Sequence, residues 1–378
     1  MKVYLDNAAT TPIAKEVISE IEPYLSTYFG NPSSTHSFGR KTKNALEITR
    51  KKIANFINAQ NNEIIFTSGG TEADNIALRC AVIDLEVKRI ITTKLEHHAV
   101  GHTAEDLKES YAIEVVYLKT DDFGNPSIEE LKKLLHEPTK TLVSLMHANN
   151  EIGTLLPFEE IAQICNKHDH VYFHSDTVQT MGHYTFDVQQ LGIDFLTCSA
   201  HKFHGPKGIG FLFANKNLSI NPLITGGSQE RNQRGGTENI YGIIGLGKAM
   251  ELAYSNLKSH HEHVQGLKTR MISELSKLDD RISFNGETHP NKSLYTVLNV
   301  CFPQEICNSM LLFSLDIHGI AASGGSACSS GSNVGSHVLA ELPNQDNCQS
   351  VRFSFSRFTT IEDIEYTLDK IRAIIKNE

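Results

Sequence analysis

From residue 63 onward, apolar and polar positions alternate between two periods. Short apolar runs at 63–67, 89–92, 113–118, 141–146, 171–174 and 195–198 predict strands. Stretches with helical spacing separate them. One helix is opened by Ser127, with Glu130 at the capping-box position and Ile128, Leu131, Leu134 and Leu135 as its apolar stripe. Another follows Pro157 and carries Phe158, Ile161, Ile164 and Cys165 on one side. Strands that alternate with helices predict an α/β fold, a mostly parallel sheet covered on both faces. After about residue 257 the pattern changes to helix, a strand-like run at 295–301, a Gly/Ser-rich stretch and an alternating strand at 351–356. A last helix begins with Thr360 and Asp363 as capping box and carries Ile361, Ile364, Leu368, Ile371 and Ile375. The expected division is a large domain over 15–257 and a smaller α+β domain formed by 1–14 and 258–378.

Composition narrows the function classes. The 378 residues are 40% hydrophobic and 21% charged, as in ordinary globular proteins. A net charge of −9 gives no general attraction for nucleic acid. No apolar run approaches the roughly 18 residues that span a bilayer, and the apolar start is too short for a signal peptide. The seven cysteines are odd in number, scattered and without a C-x-x-C pair, which predicts reduced thiols and a cytoplasmic protein. His260, His261 and His263 scatter around a helix axis and read as a solvated polar face, so no metal is expected.

Chemistry is expected at the carboxyl ends of the parallel strands, where open sheets bind ligands. After 63–67 comes Ser68-Gly69-Gly70-Thr71-Glu72, either an anion cradle at a helix start or a tight turn with Thr71 as N-cap. It matches neither a P-loop nor a dinucleotide fingerprint. After 171–174 stand Asp176 and Gln179. The acid could pair with a protonated ring nitrogen or simply start a helix, and the amide could donate to a ring oxygen. After 195–198 comes Ser199-Ala200-His201-Lys202. A lysine at the end of a buried strand is either a loop residue or an amine kept neutral by desolvation, available to condense with an aldehyde.

In this order these segments resemble the class V aminotransferase fold and, more narrowly, cysteine desulfurases of the NifS/IscS type. The resemblance spans almost the whole chain. It includes Asp6-Asn7-Ala8-Ala9-Thr10-Thr11-Pro12, Gly30-Asn31-Pro32-Ser33-Ser34, Glu96-His97-His98, His147-Ala148-Asn149-Asn150-Glu151, Arg234-Gly235-Gly236-Thr237-Glu238, Ser326-Ala327-Cys328 and Arg352-Phe353-Ser354. It implies a seven-stranded sheet of the pyridoxal-phosphate fold type I and a homodimer. Lys202 would carry pyridoxal 5'-phosphate and move the Cα proton. Asp176 would face the ring nitrogen, Gln179 the ring hydroxyl oxygen, and His97 would stack on the ring. Gly70, Thr71, Ser199 and His201 would hold the phosphate, with Thr237 reaching in from the partner subunit.

The resemblance also places Arg352, Asn150 and Asn31 at the carboxylate of L-cysteine. Arg352 reads equally as a structural ion-pair partner. Cys328 lies in a Gly/Ser-rich stretch, within about 323–337, that cannot pack a core and is expected to be mobile. It would receive the substrate sulfur as a persulfide and release alanine. The sulfur would pass to an acceptor such as an iron–sulfur scaffold or a tRNA-thiolation carrier, with no direct contact to nucleic acid or membrane. Rival readings are a selenocysteine lyase or aminotransferase of the same fold, and a silent assembly platform. The sequence departs from the family at Gly324-Gly325, at Ser228, and in ending soon after the last helix.

Overall fold

The computed structural model describes residues 1–307, 310–324, 335–343 and 348–376. A short strand, β1 (Val3–Tyr4), precedes the main sheet. That sheet is built from β2 (Ile64–Thr67), β3 (Arg89–Thr92), β4 (Glu114–Tyr117), β5 (Thr141–Ser144), β6 (Val171–Asp176), β7 (Phe195–Ser199) and β8 (Gly210–Ala214). Its seven strands run in the order β2-β8-β7-β6-β5-β3-β4. All are parallel except β8, which lies antiparallel between β2 and β7. The expected mostly parallel α/β sheet is therefore present. The sequence reading did not resolve β8, because Gly210-Phe211-Leu212-Phe213-Ala214 is buried on both faces and shows no alternation.

Three later strands, β9 (Ser283–Asn285), β10 (Val297–Pro303) and β12 (Cys348–Ser354), form an antiparallel sheet in the order β12-β10-β9. The fourth, β11 (Ile320–Ala321), pairs in parallel with β1. One apolar core lies under the main sheet, running from Ala14 and Val17 through Phe173 to Met250. Another joins Val3 and Leu5 to Val264, Phe302, Phe353 and Leu368. The N-terminal segment thus packs with the distant C-terminal strands, and Asp6 bridges to Ser354.

Local signals hold with some changes. Ser127 caps its helix by accepting from the Glu130 N–H at 3.2 Å, but the Glu130 carboxylate takes the N–H of Lys119 instead, so the capping box is half made. At Thr360 and Asp363 it is complete, at 2.9 and 3.1 Å. Ile361, expected on the apolar stripe, is 44% exposed because it sits in the first turn, beyond the edge of the core. His260 and His261 are half-buried rather than solvated. His261 packs edge-on against Tyr295 at 4.5 Å, while the exposed His263 meets the Thr359 carbonyl at 2.8 Å.

The expectation that every thiol is reduced is corrected for one pair. Cys301 and Cys348 are joined by a disulfide. Antiparallel pairing of β10 with β12 sets these residues diagonally across the ladder, although 47 positions separate them in the chain. Among the described residues, no helix is long and apolar enough to cross a membrane.

Candidate active site

The carboxyl ends of β2, β3, β5, β6 and β7 converge on a cavity of about 260 Å³. Its wall includes Ala8 and Ala9 of the N-terminal segment and Arg352 of β12. At β2, the chain turns through Gly69 (φ +152°) into the helix Gly70–Ile83. The N-cap is Gly69 and not Thr71, and no side chain caps this end. First-turn N–H groups have no intrahelical acceptor and carry the positive end of the helix dipole. A Cβ on Gly70 would lie 2.7 Å from Val178 Cγ2, so the loop after β6 can close against this turn only while position 70 is bare.

Asp176 ends β6, is buried, and accepts the Val178 N–H at 2.8 Å. Burial, then the nearby carboxylate of Asp74, pushes its carboxyl up to about 7. Gln179 donates its side-chain amide to the Ala8 carbonyl at 3.1 Å. Lys202 follows β7 at the end of a single 3-10 turn, Ala200–Lys202. Its Nζ donates to the carbonyls of Ala8 and Ala9 at 2.6 and 3.0 Å. His201, beside it, has Nδ1 3.1 Å from the Thr10 hydroxyl, and burial lowers its imidazole to about 4.

His97 caps the helix His98–Tyr111, its Nδ1 accepting the Ala99 N–H at 3.1 Å. Burial and then the Lys202 charge lower its imidazole to about 4, so it is neutral near pH 7. The buried Arg352 projects from β12 on the face opposite Val351 and Phe353. Its Nη1 donates to the Asn150 backbone carbonyl at 2.9 Å and its Nη2 to Asp6 Oδ1 at 2.9 Å, while its buried Nε has no acceptor. Arg352 thus pairs with Asp6, as the structural reading expected, and it also lines the cavity.

Of the other predicted residues, Gly70, Thr71, Ser199 and Asn150 line the same cavity. Asn31 does not. It is exposed, and its side-chain oxygen accepts the Ser33 N–H at 2.9 Å. Thr237 is also exposed and lines a separate pocket with Arg234 and Glu238. Its segment is fixed to the main core by Glu230, which pairs with the buried Arg50 at 2.6 and 2.8 Å and accepts the Phe66 N–H. Cys328 lies outside the described residues. Sequence reasoning quoted Asp6 and Glu96 only as members of longer segments, without a role, and missed Asp74; all three stand close to the site. Asp74 left a legible trace: it interrupts the stripe it shares with Leu78 and Ala81, an acid on an apolar helix face.

The aminotransferase class-V family model matches residues 3–367 of this chain. This chain belongs to that family. A cysteine desulfurase IscS of Dictyoglomus turgidum is 46% identical over 99% of this chain and 95% of its own length. The solved structure of a NifS-like protein superposes with a TM-score of 0.92 at 36% identity, covering all of both chains. A structure of SspA in complex with cysteine superposes at 0.80 with 32% identity, over 95% of this chain and all of its own.

Class V enzymes use pyridoxal phosphate. The cavity fits that group on its own geometry. An uncapped helix start, closed in by a glycine where a Cβ would clash, suits a phosphate. A buried acid with its carboxyl raised in isolation would regain its charge against a cationic ring nitrogen. An amine stands at the end of the adjoining strand.

Proposed function

We propose that this chain is a pyridoxal-phosphate-dependent cysteine desulfurase, which converts L-cysteine to L-alanine and keeps the sulfur as a persulfide on Cys328. The observation that carries this reading is the convergence of Lys202, Asp176 and Arg352 on one cavity, in a chain 46% identical to a cysteine desulfurase. When bound, the cofactor supplies an electron sink that lets bonds at the substrate Cα and Cβ break. Lys202 anchors that group and then shuttles the Cα proton. Asp176 would answer the ring nitrogen, Gln179 would hold the ring oxygen, and the uncharged His97 would lie beside the group without adding a second cation.

The Arg352 guanidinium binds the substrate carboxylate, and Asp6 holds the fork in place. Arg352→Leu is expected to lower kcat/KM for L-cysteine about 100-fold, mostly through KM, as steady-state kinetics would reveal. The Cys328 thiolate attacks the substrate sulfur. A sulfur–sulfur bond forms, the carbon–sulfur bond breaks, and the electron pair left on carbon takes a proton to give the methyl group of alanine.

The working unit is a homodimer in which Thr237 completes the partner's phosphate site, in keeping with its exposure away from its own cavity. Residues 1–14 with 258–378 form the smaller of two domains and 15–257 the larger. The sulfur acceptor is a protein, either an iron–sulfur scaffold or a tRNA-thiolation carrier, and the setting is the cytoplasm. Product analysis tests the reading. L-cysteine should yield alanine in step with transferable sulfur, whereas a keto acid as main product would assign an aminotransferase instead.

A further inference from the structure

The cavity wall carries two carboxylates that the proposed reaction does not use, Asp74 and Glu151, and Asp74 is the one beside Asp176. Asp74 lies on the helix Gly70–Ile83 and is 1% exposed. A carboxylate oxygen of Asp74, one of Asp176 and a ring nitrogen of His97 all fall within 4.8 Å of one another. Asp74 Oδ1 has no hydrogen-bond partner and stands 3.4 Å from Nε2 of the fully buried His174. Nδ1 of that ring is 2.8 Å from the Ser144 hydroxyl, and Nε2 is 3.2 Å from the Thr197 hydroxyl.

Two carboxylates held this close in a dry site do not both ionise. Burial raises each carboxyl; the charge of Asp74 raises Asp176 further, the Thr197 hydroxyl draws Asp74 part of the way back, and both stand at about 7. The other titratable groups facing the pair are His174 from β6, Glu96 and His97 from the segment after β3, Cys198 from β7, and Lys202. Among them Lys202 is the residue that the cofactor takes up when bound. His174 and His97 are lowered to about 4, and Glu96 is pushed well above the usual carboxylate range.

We propose that Asp74 is a positioning residue that carries the one proton of this carboxylate pair, so that Asp176 stays ionised toward the cofactor ring nitrogen. The surroundings favour that division. Asp176 accepts the Val178 N–H, which stabilises its charge. Asp74 has the neutral imidazole of His174 near the one oxygen that lacks a partner. A proton on that oxygen points toward an acceptor, and His174 then turns its own N–H to Ser144. A charge on Asp74 would instead face Asp176 without a donor on Oδ1.

The inference rests on the cofactor-bound site proposed above, so loading is read first, from the visible absorbance of the holoenzyme. Protein that fails to load counts against that site and not against Asp74. In loaded wild type at neutral pH, infrared spectra should contain carbonyl-stretch bands of protonated carboxylic acids. Asp74→Asn should remove one of them, and Glu96→Gln should remove a different one. Circular dichroism establishes that the variant is folded. A folded, loaded Asp74→Asn that keeps the full set of acid bands overturns the proposal.

Discussion

Lys202→Ala is expected to fold, to bind pyridoxal phosphate only without a covalent bond, and to lose turnover of L-cysteine by about 10,000-fold or more. Two separate losses combine. The covalent anchor disappears, and so does the base placed to move the Cα proton. The substitution also removes two hydrogen bonds, to the carbonyls of Ala8 and Ala9 at 2.6 and 3.0 Å. The Ala8 carbonyl keeps the Gln179 amide as donor, so the loss falls on the Ala9 carbonyl and costs roughly 1–3 kcal/mol. Melting should therefore shift downward while the fold survives. Dialysis separates the readings: wild type should retain its absorbance, and the variant should lose it. Retention by the variant would place the anchor on another residue.

Cys328→Ala is expected to abolish persulfide on the protein and to slow alanine release about 1,000-fold or more. The argument runs through the other cysteines. Cys80, Cys165, Cys198 and Cys307 are all buried. Burial pushes the Cys165 thiol up to about 12 and raises those of Cys80 and Cys198 well above the usual thiol range, which leaves no useful thiolate near neutral pH. Cys301 and Cys348 are bonded to each other. None of these six suits the role of nucleophile. Mass spectrometry after exposure to L-cysteine should detect an added sulfur on wild type and none on the variant. Exchange of the substrate Cα hydrogen with deuterated solvent should persist, because Lys202 and Arg352 are untouched. An added sulfur on the Cys328→Ala protein would assign the thiol elsewhere.

The site was legible where chemistry follows from strand ends. Gly70, Asp176 and Lys202 each stand just past an apolar run, and a parallel sheet brings such positions together without any knowledge of long-range contacts. The alternating face of β12 likewise placed Arg352 opposite Val351 and Phe353. Partners distant in the chain were not legible. Asp6 meets Arg352 across 346 positions, and no local period records that pairing. The Cys301–Cys348 bond depends on the register of two strands, which the expectation of reduced thiols could not contain. Thr71 was weighed as an N-cap because its residue type favours that position, yet the helix starts earlier, on a glycine whose backbone angles other residues rarely adopt.

The strap of residues under Lys202 has a consequence for how the protein is made. Ala8 and Ala9 are translated well before the residues that hold their segment, because β1 pairs with β11 and Asp6 bridges to Ser354, more than 300 positions later. At about 5–20 residues per second, a ribosome leaves that strap without its partners for tens of seconds. A nascent chain therefore exposes the open floor of its cavity until those strands emerge, and retention of the vitamin-derived group has to wait for them.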